Sequence, residues 1–179
     1  MLQGGKVGSK TVRAWAFGAI AGYSVQDPLV LSPRFAFQLD TASGNKNPTS
    51  DTLGTFNPLF PNGYYVTLAS LPGYSNFIQA KPSITFRPGK SLSVQIAGAG
   101  VWRMSTADAV YMLPAVPVAN TAGRAGIYTG TYGELRVDWN ANAHTKLALE
   151  AEHFVISDRL RAAGMKSGNY LGIESQIGF

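Results

Sequence analysis

The side chains in this sequence that could do chemistry are charged residues set at every second position. Arg34, Lys81, Arg87, Arg103, Arg136 and Lys146 alternate with apolar or small neighbours, as do Asp40, Glu134, Asp138, Glu150, Glu152 and Glu174, six of each sign on one side of their segments. A balanced set of this kind can form a ladder of cross-strand ion pairs that holds a wall and its water. Alternatively, Arg34, Arg103 and Arg136, with Lys81, bind a carboxylated polymer, because planar guanidinium donors match a carboxylate bidentately. The sequence leaves both readings open. The net charge of +5 comes from the remaining residues, nine bases against Asp27, Asp51, Asp108 and Asp158 in loops and ends. Basic loops can gather a polyanion at a mouth, with a strong salt dependence.

Other chemistry has little to work with. There is no Cys, which removes disulfides, thiolate metal sites and thiol nucleophiles together. Only His144 and His153 are present, too few for a multi-histidine metal centre. His144 falls in a short turn and His153 in register with apolar residues, and a catalytic triad is defined by spatial roles that closeness in sequence does not supply. No catalytic residue, metal or cofactor is therefore expected, and the chain reads as a non-enzyme. The basic residues are dispersed rather than gathered with stacking aromatics, so nucleic acid is not an expected partner.

The elements that position these charges follow from period. Alternation succeeds where helical spacing fails. Six segments obey it: Phe35 to Thr41, Phe77 to Arg87, Ser91 to Arg103, Ile127 to Trp139, Lys146 to Val155 and Tyr170 to Phe179. None places a charge on its apolar face. Val12 to Val25 reads as a seventh strand, with Trp15, Phe17 and Tyr23 on one side, and Tyr64 to Leu71 as a short eighth with ambiguous faces. Tight turns at Arg87 to Lys90 and Asn140 to His144 contrast with long loops at Ser43 to Gly63 and Ser105 to Gly126 and a medium one at Asp158 to Gly168. Short turns alternating with long loops describe an up-and-down antiparallel meander, read here as a single all-β domain over 1–179.

Which side is wet decides the class. The longest apolar stretch, Ala14 to Tyr23, falls short of the roughly 20 residues of a spanning helix. Three features favour lipid outside and water inside. The apolar faces carry aromatic residues near segment ends, the segments match a tilted spanning strand, and the polar faces mix charges with Gly, Ala, Ser and Tyr. Lipid offers no partner to an unpaired backbone N–H, so such a sheet must close. The alternatives are a small non-transporting outer-membrane barrel filled by side chains and a soluble ligand-binding barrel.

Several runs carry a family likeness. Ser32-Pro33-Arg34, Leu39-Asp40-Thr41-Ala42-Ser43-Gly44, and Thr55-Phe56-Asn57-Pro58-Leu59-Phe60-Pro61 with Tyr64 resemble the alginate-export family of outer-membrane proteins. Trp102-Arg103, Thr106-Ala107-Asp108, Tyr111 and the ending Ile173 to Phe179 do so too, and the order corresponds to that family's C-terminal portion. The resemblance implies a barrel of roughly eighteen strands in the bacterial outer membrane, exporting an anionic polysaccharide through an arginine-lined pore. It also implies outer-membrane lipid as a neighbour. Phe179, with Ile177 and Ile173 on an alternating strand, resembles the signal read by the barrel-assembly machinery. Asn45 stands where the family usually has an acid. The eight strand candidates in this chain fit a C-terminal fragment of a longer barrel.

The run Phe56, Asn57, Pro58, Leu59, Phe60 and Pro61 has two readings. It is a rigid connector whose Phe56, Leu59 and Phe60 fill a barrel end, or a loop folded over the pore as a constriction. Its side of the membrane depends on whether Tyr64 to Leu71 spans.

Overall fold

Residues that alternate between apolar and polar pair readily in extended backbone, because each face then meets one kind of surroundings. The computed structural model describes residues 1–26, 31–61, 65–69 and 71–178. Its strands are β1 (Leu2–Val7), β2 (Lys10–Ser24), β3 (Arg34–Ala42), β4 (Thr52–Leu53), β5 (Phe77–Phe86), β6 (Leu92–Trp102), β7 (Tyr111–Met112), β8 (Val116–Pro117), β9 (Tyr128–Asn140), β10 (Thr145–Ile156) and β11 (Gly168–Ile177). One helical turn, α1 (Asp158–Arg161), precedes β11. The main sheet runs β1-β2-β3-β5-β6-β9-β10-β11 with every neighbour antiparallel, and β4 lies parallel to β2 at Thr11 and Val12. β7 and β8 form a separate two-stranded ribbon.

Over their described residues all six alternating segments form strands of this all-β sheet, and, apart from the start of β9, their apolar faces point outward. Ile96 is 51% exposed and Ile177 63%, whereas Gln79, Glu134 and Glu150 on the opposite face are each 5% or less. Phe35, Phe37, Leu39, Leu135, Leu149, Leu171 and Ile173 share the outward face. The inner face is filled from the long-loop end. Phe56 and Val66 from the β3–β5 connection pack there with Ala14, Ala42, Phe77, Ala99, Val101, Tyr132 and Phe154. Among the described residues no helix is long and apolar enough to cross a membrane.

Two expectations are corrected. The segment expected as an eighth strand is not one: described residues 65–69 form turns over the inner face, while Tyr64 and Ser70 lie outside the described residues. The remaining strand is β1 instead, which pairs with the outermost part of β2 from Leu2↔Trp15 to Val7↔Lys10. The Asn57–Pro61 loop consequently lies at the same end of the sheet as the 103–127 and 157–167 loops. Faces also shift at the start of β9. Val101 pairs with Gly130 and Trp102 with Tyr128, so Thr129 is the extra residue of a bulge. That turns Tyr128 outward beside Trp102, ring centroids 6.0 Å apart, and buries Thr129, the reverse of strict alternation.

Among the described residues the sheet is not closed. β1 and β11 are its edges, and beyond Ala16, whose N–H and C=O pair with Met1, that side of β2 has no neighbouring strand among the described residues. β2 and β11 run in the same direction, since five antiparallel strands lie between them. They cannot pair with each other as an antiparallel ladder.

The bulge sets the first prediction. A Cβ on Gly130, whose φ is +157°, would lie 2.3 Å from the Val155 carbonyl oxygen, which belongs to fixed backbone. Gly130→Ala is expected to lower unfolding stability by roughly 2 kcal/mol, read from urea unfolding of the folded protein in detergent.

Candidate functional site

The inward side chains of β3, β5, β9 and β10 meet in one polar network beneath residues 65–69. Gln79 is fully buried, accepts from the Tyr132 hydroxyl at 2.7 Å and donates to Asp40 at 3.3 Å. Asp40 accepts also from Gln38 at 2.7 Å and from the Tyr65 hydroxyl at 2.6 Å. Next to this layer, Lys81 pairs with Glu134 at 2.5 Å and donates to the Val66 carbonyl at 3.0 Å. Glu150 accepts from the Leu68 N–H at 2.5 Å through one oxygen and pairs with Arg136 at 3.0 Å through the other. Arg136 is shared with Asp138 at 2.8 Å.

The segment 65–69 is thus a strap fastened to the inner wall at both of its backbone polarities. Lys81 holds a carbonyl and Glu150 holds an N–H. Removing either partner leaves a buried charge or backbone group without its mate, which costs far more than the intact pair contributes. The close approach of Tyr65 requires Gly18, because a Cβ there would lie 2.5 Å from the Tyr65 hydroxyl. Glu152, inward and buried directly across from Glu134, has neither carboxylate oxygen hydrogen-bonded among the described residues. This layer therefore holds more carboxylate than cation. A cavity of about 310 Å³ opens below the strap, with Gln38, Lys81, Gln95, Arg136 and Glu150 on its wall.

The residues expected from sequence are distributed unevenly. Lys81 and Arg136 come together on this cavity. Arg34 lies apart, over Gly22 near the short-turn end, with its guanidinium 3.4 Å from the Ser24 hydroxyl. Arg103 does not face the cavity. It is 1% exposed and its guanidinium donates to the carbonyls of Gly126, Thr121, Arg124 and Asp108, so it gathers the 103–127 loop rather than an incoming anion. Burial lowers its pKa.

The Phe56–Pro61 run is likewise split. Phe56 and Pro58 are buried, Pro61 is half-buried, and Asn57 exchanges two hydrogen bonds with Gln3 of β1, while Leu59 and Phe60 are exposed, Phe60 by 94%. Only Phe56 fills the sheet's interior, and the segment over the inner wall is 65–69. Ile173 and Ile177 are exposed on the outward face of β11, and Phe179 lies outside the described residues.

Two groups not expected as site residues, Asp108 and Asn76, stitch the long loops together. Asp108 accepts from Asn45 N–H, the Thr55 hydroxyl and the Tyr111 hydroxyl at 2.5 to 2.7 Å. Asn76 donates to Ser105 and Ala109 carbonyls at 2.8 Å and accepts from Ser105 N–H at 2.7 Å. The runs around Ser43-Gly44, Thr55 and Thr106-Ala107-Asp108 meet at these hubs. Asp108 was legible as a loop charge, whereas Asn76 carries no local signal. Among the described residues no group of three His, Cys, Asp or Glu is placed to hold a metal.

Two predictions follow from this geometry. Arg103→Ala leaves several buried carbonyls without donors and is expected to cost roughly 3 kcal/mol and to speed proteolysis within 104–127. The Tyr65 hydroxyl is pushed up to about 12 by burial first and the neighbouring Asp40 carboxylate second. A raised phenol value means that the strap contact is fully present below the ordinary value near 10 and is lost as pH rises through about 12. A difference absorbance titration between the protein and Tyr65→Phe should place this tyrosinate in that upper window.

No curated protein matches the chain. A family model described as "Alginate export" matches residues 1–174. That span takes in the strap, the inner network, both stitched loops and the outward apolar face, and the chain belongs to the alginate-export family.

Proposed function

We propose that this chain forms part of the wall of a bacterial outer-membrane pore that lets an anionic polysaccharide, or a related solute, leave by diffusion down its own gradient. The observation that carries the reading is the pairing of an exposed apolar outer face with an ion-paired inner face bordering a cavity. A soluble barrel would turn its apolar face inward. Family membership supports export as the activity and a pore rather than an enzyme.

The wall is a portion of a larger barrel. Two sheet edges with outward apolar residues need strands beside them in a bilayer, and the strand that covers β2 beyond Ala16 must run in the direction of β1. The neighbours are outer-membrane lipid and, during insertion, the barrel-assembly machinery.

In this reading the strap is the constriction. Lys81 and Arg136 are the inner cations a polyuronate carboxylate meets, and each is already engaged by a carboxylate of the wall. A passing carboxylate competes with Glu134 and Glu150 for those same donors. Release of Glu150 from Arg136 then weakens the Leu68 anchor, so the solute eases the strap that obstructs it. Arg34, nearer the short-turn end, provides a further guanidinium outside this network.

One observation favours a second reading. The apolar packing of Phe56, Val66, Phe77 and Phe154 on the inner face is what a filled, non-conducting barrel would show.

Single-channel recording, in planar bilayers, of the closed barrel that contains this wall separates the two. The pore reading predicts a measurable conductance that rises in Glu150→Ala, as the strap loosens, and a reversal potential in a salt gradient that moves toward cation preference in Arg136→Glu. A folded, inserted and electrically silent protein, silent also as Glu150→Ala, would reject it.

A further inference from the structure

The outward face holds a second cavity that the transport reading does not use. It measures about 510 Å³ and sits where β9 and β10 reach the long-loop end, between Ile127, Tyr128 and Val155 on one side and Arg159 and Arg161 on the other. The three former residues are 41% to 55% exposed, an apolar floor continuous with the Trp102–Tyr128 ring pair.

The basic side is built rather than incidental. Leu160 is buried against Val110 and Ile156, which pins α1 and turns its two flanking arginines to the surface. The Arg159 stem lies over Gly126, where a Cβ would meet Arg159 Cδ at 2.5 Å. Its guanidinium has no ion-pair or hydrogen-bond partner among the described residues. Arg161 donates to the Ile156 carbonyl at 3.2 Å and lies 3.6 Å from the exposed Asp158 carboxylate, a pair open enough to water to yield to a stronger anion.

We infer that this cavity binds a phosphorylated lipid of the outer leaflet, its phosphate on Arg159 and Arg161 and its acyl chains along Ile127, Tyr128 and Val155. The inference rests on the outer-membrane reading above, in which longer loops face outward and interfacial aromatics mark the headgroup level. Guanidinium groups suit phosphate because their planar donors bind two oxygens at once. The apolar floor is what distinguishes a lipid from a free anion. A sugar polymer has no use for a strip of Ile, Val and Tyr facing away from the inner network.

The test is retention of bisphosphorylated lipid A by the purified full-length protein in detergent, counted by native mass spectrometry. Retention is expected for the protein itself, to fall at least about tenfold, as for loss of a charge-assisted pair, in Arg159→Glu/Arg161→Glu, and to be absent for dephosphorylated lipid A. Equal retention by the double variant, or of the dephosphorylated lipid, would overturn the inference. So would displacement of lipid A by equimolar inorganic phosphate, which would assign the site to free anions. The double variant leaves the inner network untouched. A protein that conducts normally but retains no lipid A therefore contradicts this site alone, whereas a silent protein that retains it contradicts the pore.

Discussion

A backbone facing hydrocarbon has nothing to hydrogen-bond except another strand, and this constraint organises the molecule. It explains why the ladder is continuous from β2 to β11 with each neighbour antiparallel, and why outward positions carry Phe, Leu, Ile and Trp. The charged side chains of β3, β5, β9 and β10 are turned to the opposite, inner face. The inner face is accordingly crowded with charge, and its packing problem is electrostatic before it is steric.

The chain solves that problem by pairing. Lys81 is matched by Glu134 and Arg136 by Glu150 and Asp138, and the same groups reach the backbone of residues 65–69. Buried pairs contribute little net stability because desolvation offsets their attraction. Their value here is positional: they fix the strap at a defined height above the cavity. Both cations on this cavity, Lys81 and Arg136, are therefore already engaged by carboxylates of the wall. In the proposed reading, a carboxylate that reaches Lys81 or Arg136 takes a donor from one of the protein's own, which would link binding to the hold on the strap.

Much of this was legible in the sequence because alternation is a local property. The faces of β3, β5, β6 and β10 could be read from period alone, as could the inward placement of Asp40, Lys81, Glu134 and Glu150. What failed was non-local. Thr129 is a bulge, and one extra residue inverts the faces ahead of it without leaving any mark on composition. Residues 65–69 mix apolar and polar side chains as a short strand would, yet their backbone is held by β5 and β10 rather than by a neighbouring strand. Arg103 follows β6 in the inward register, but its guanidinium serves carbonyls of a loop whose path no local pattern specifies. In the Phe56–Pro61 run, Phe56 and Pro58 are buried while Leu59 and Phe60 lie outside the packing, a division that composition does not mark.

The central claim is that the apolar face touches acyl chains and the polar face does not. Because the chain has no cysteine, single nitroxide labels can be placed along β10 without background. Paramagnetic accessibility in proteoliposomes tests the claim directly. Labels at Leu147, Leu149, Ala151 and Val155 should be relaxed strongly by oxygen and weakly by a polar nickel complex, with labels at Ala148, Glu150 and Glu152 showing no such oxygen preference. The opposite alternation, with the polar complex reaching Leu149 and Val155, would contradict the account.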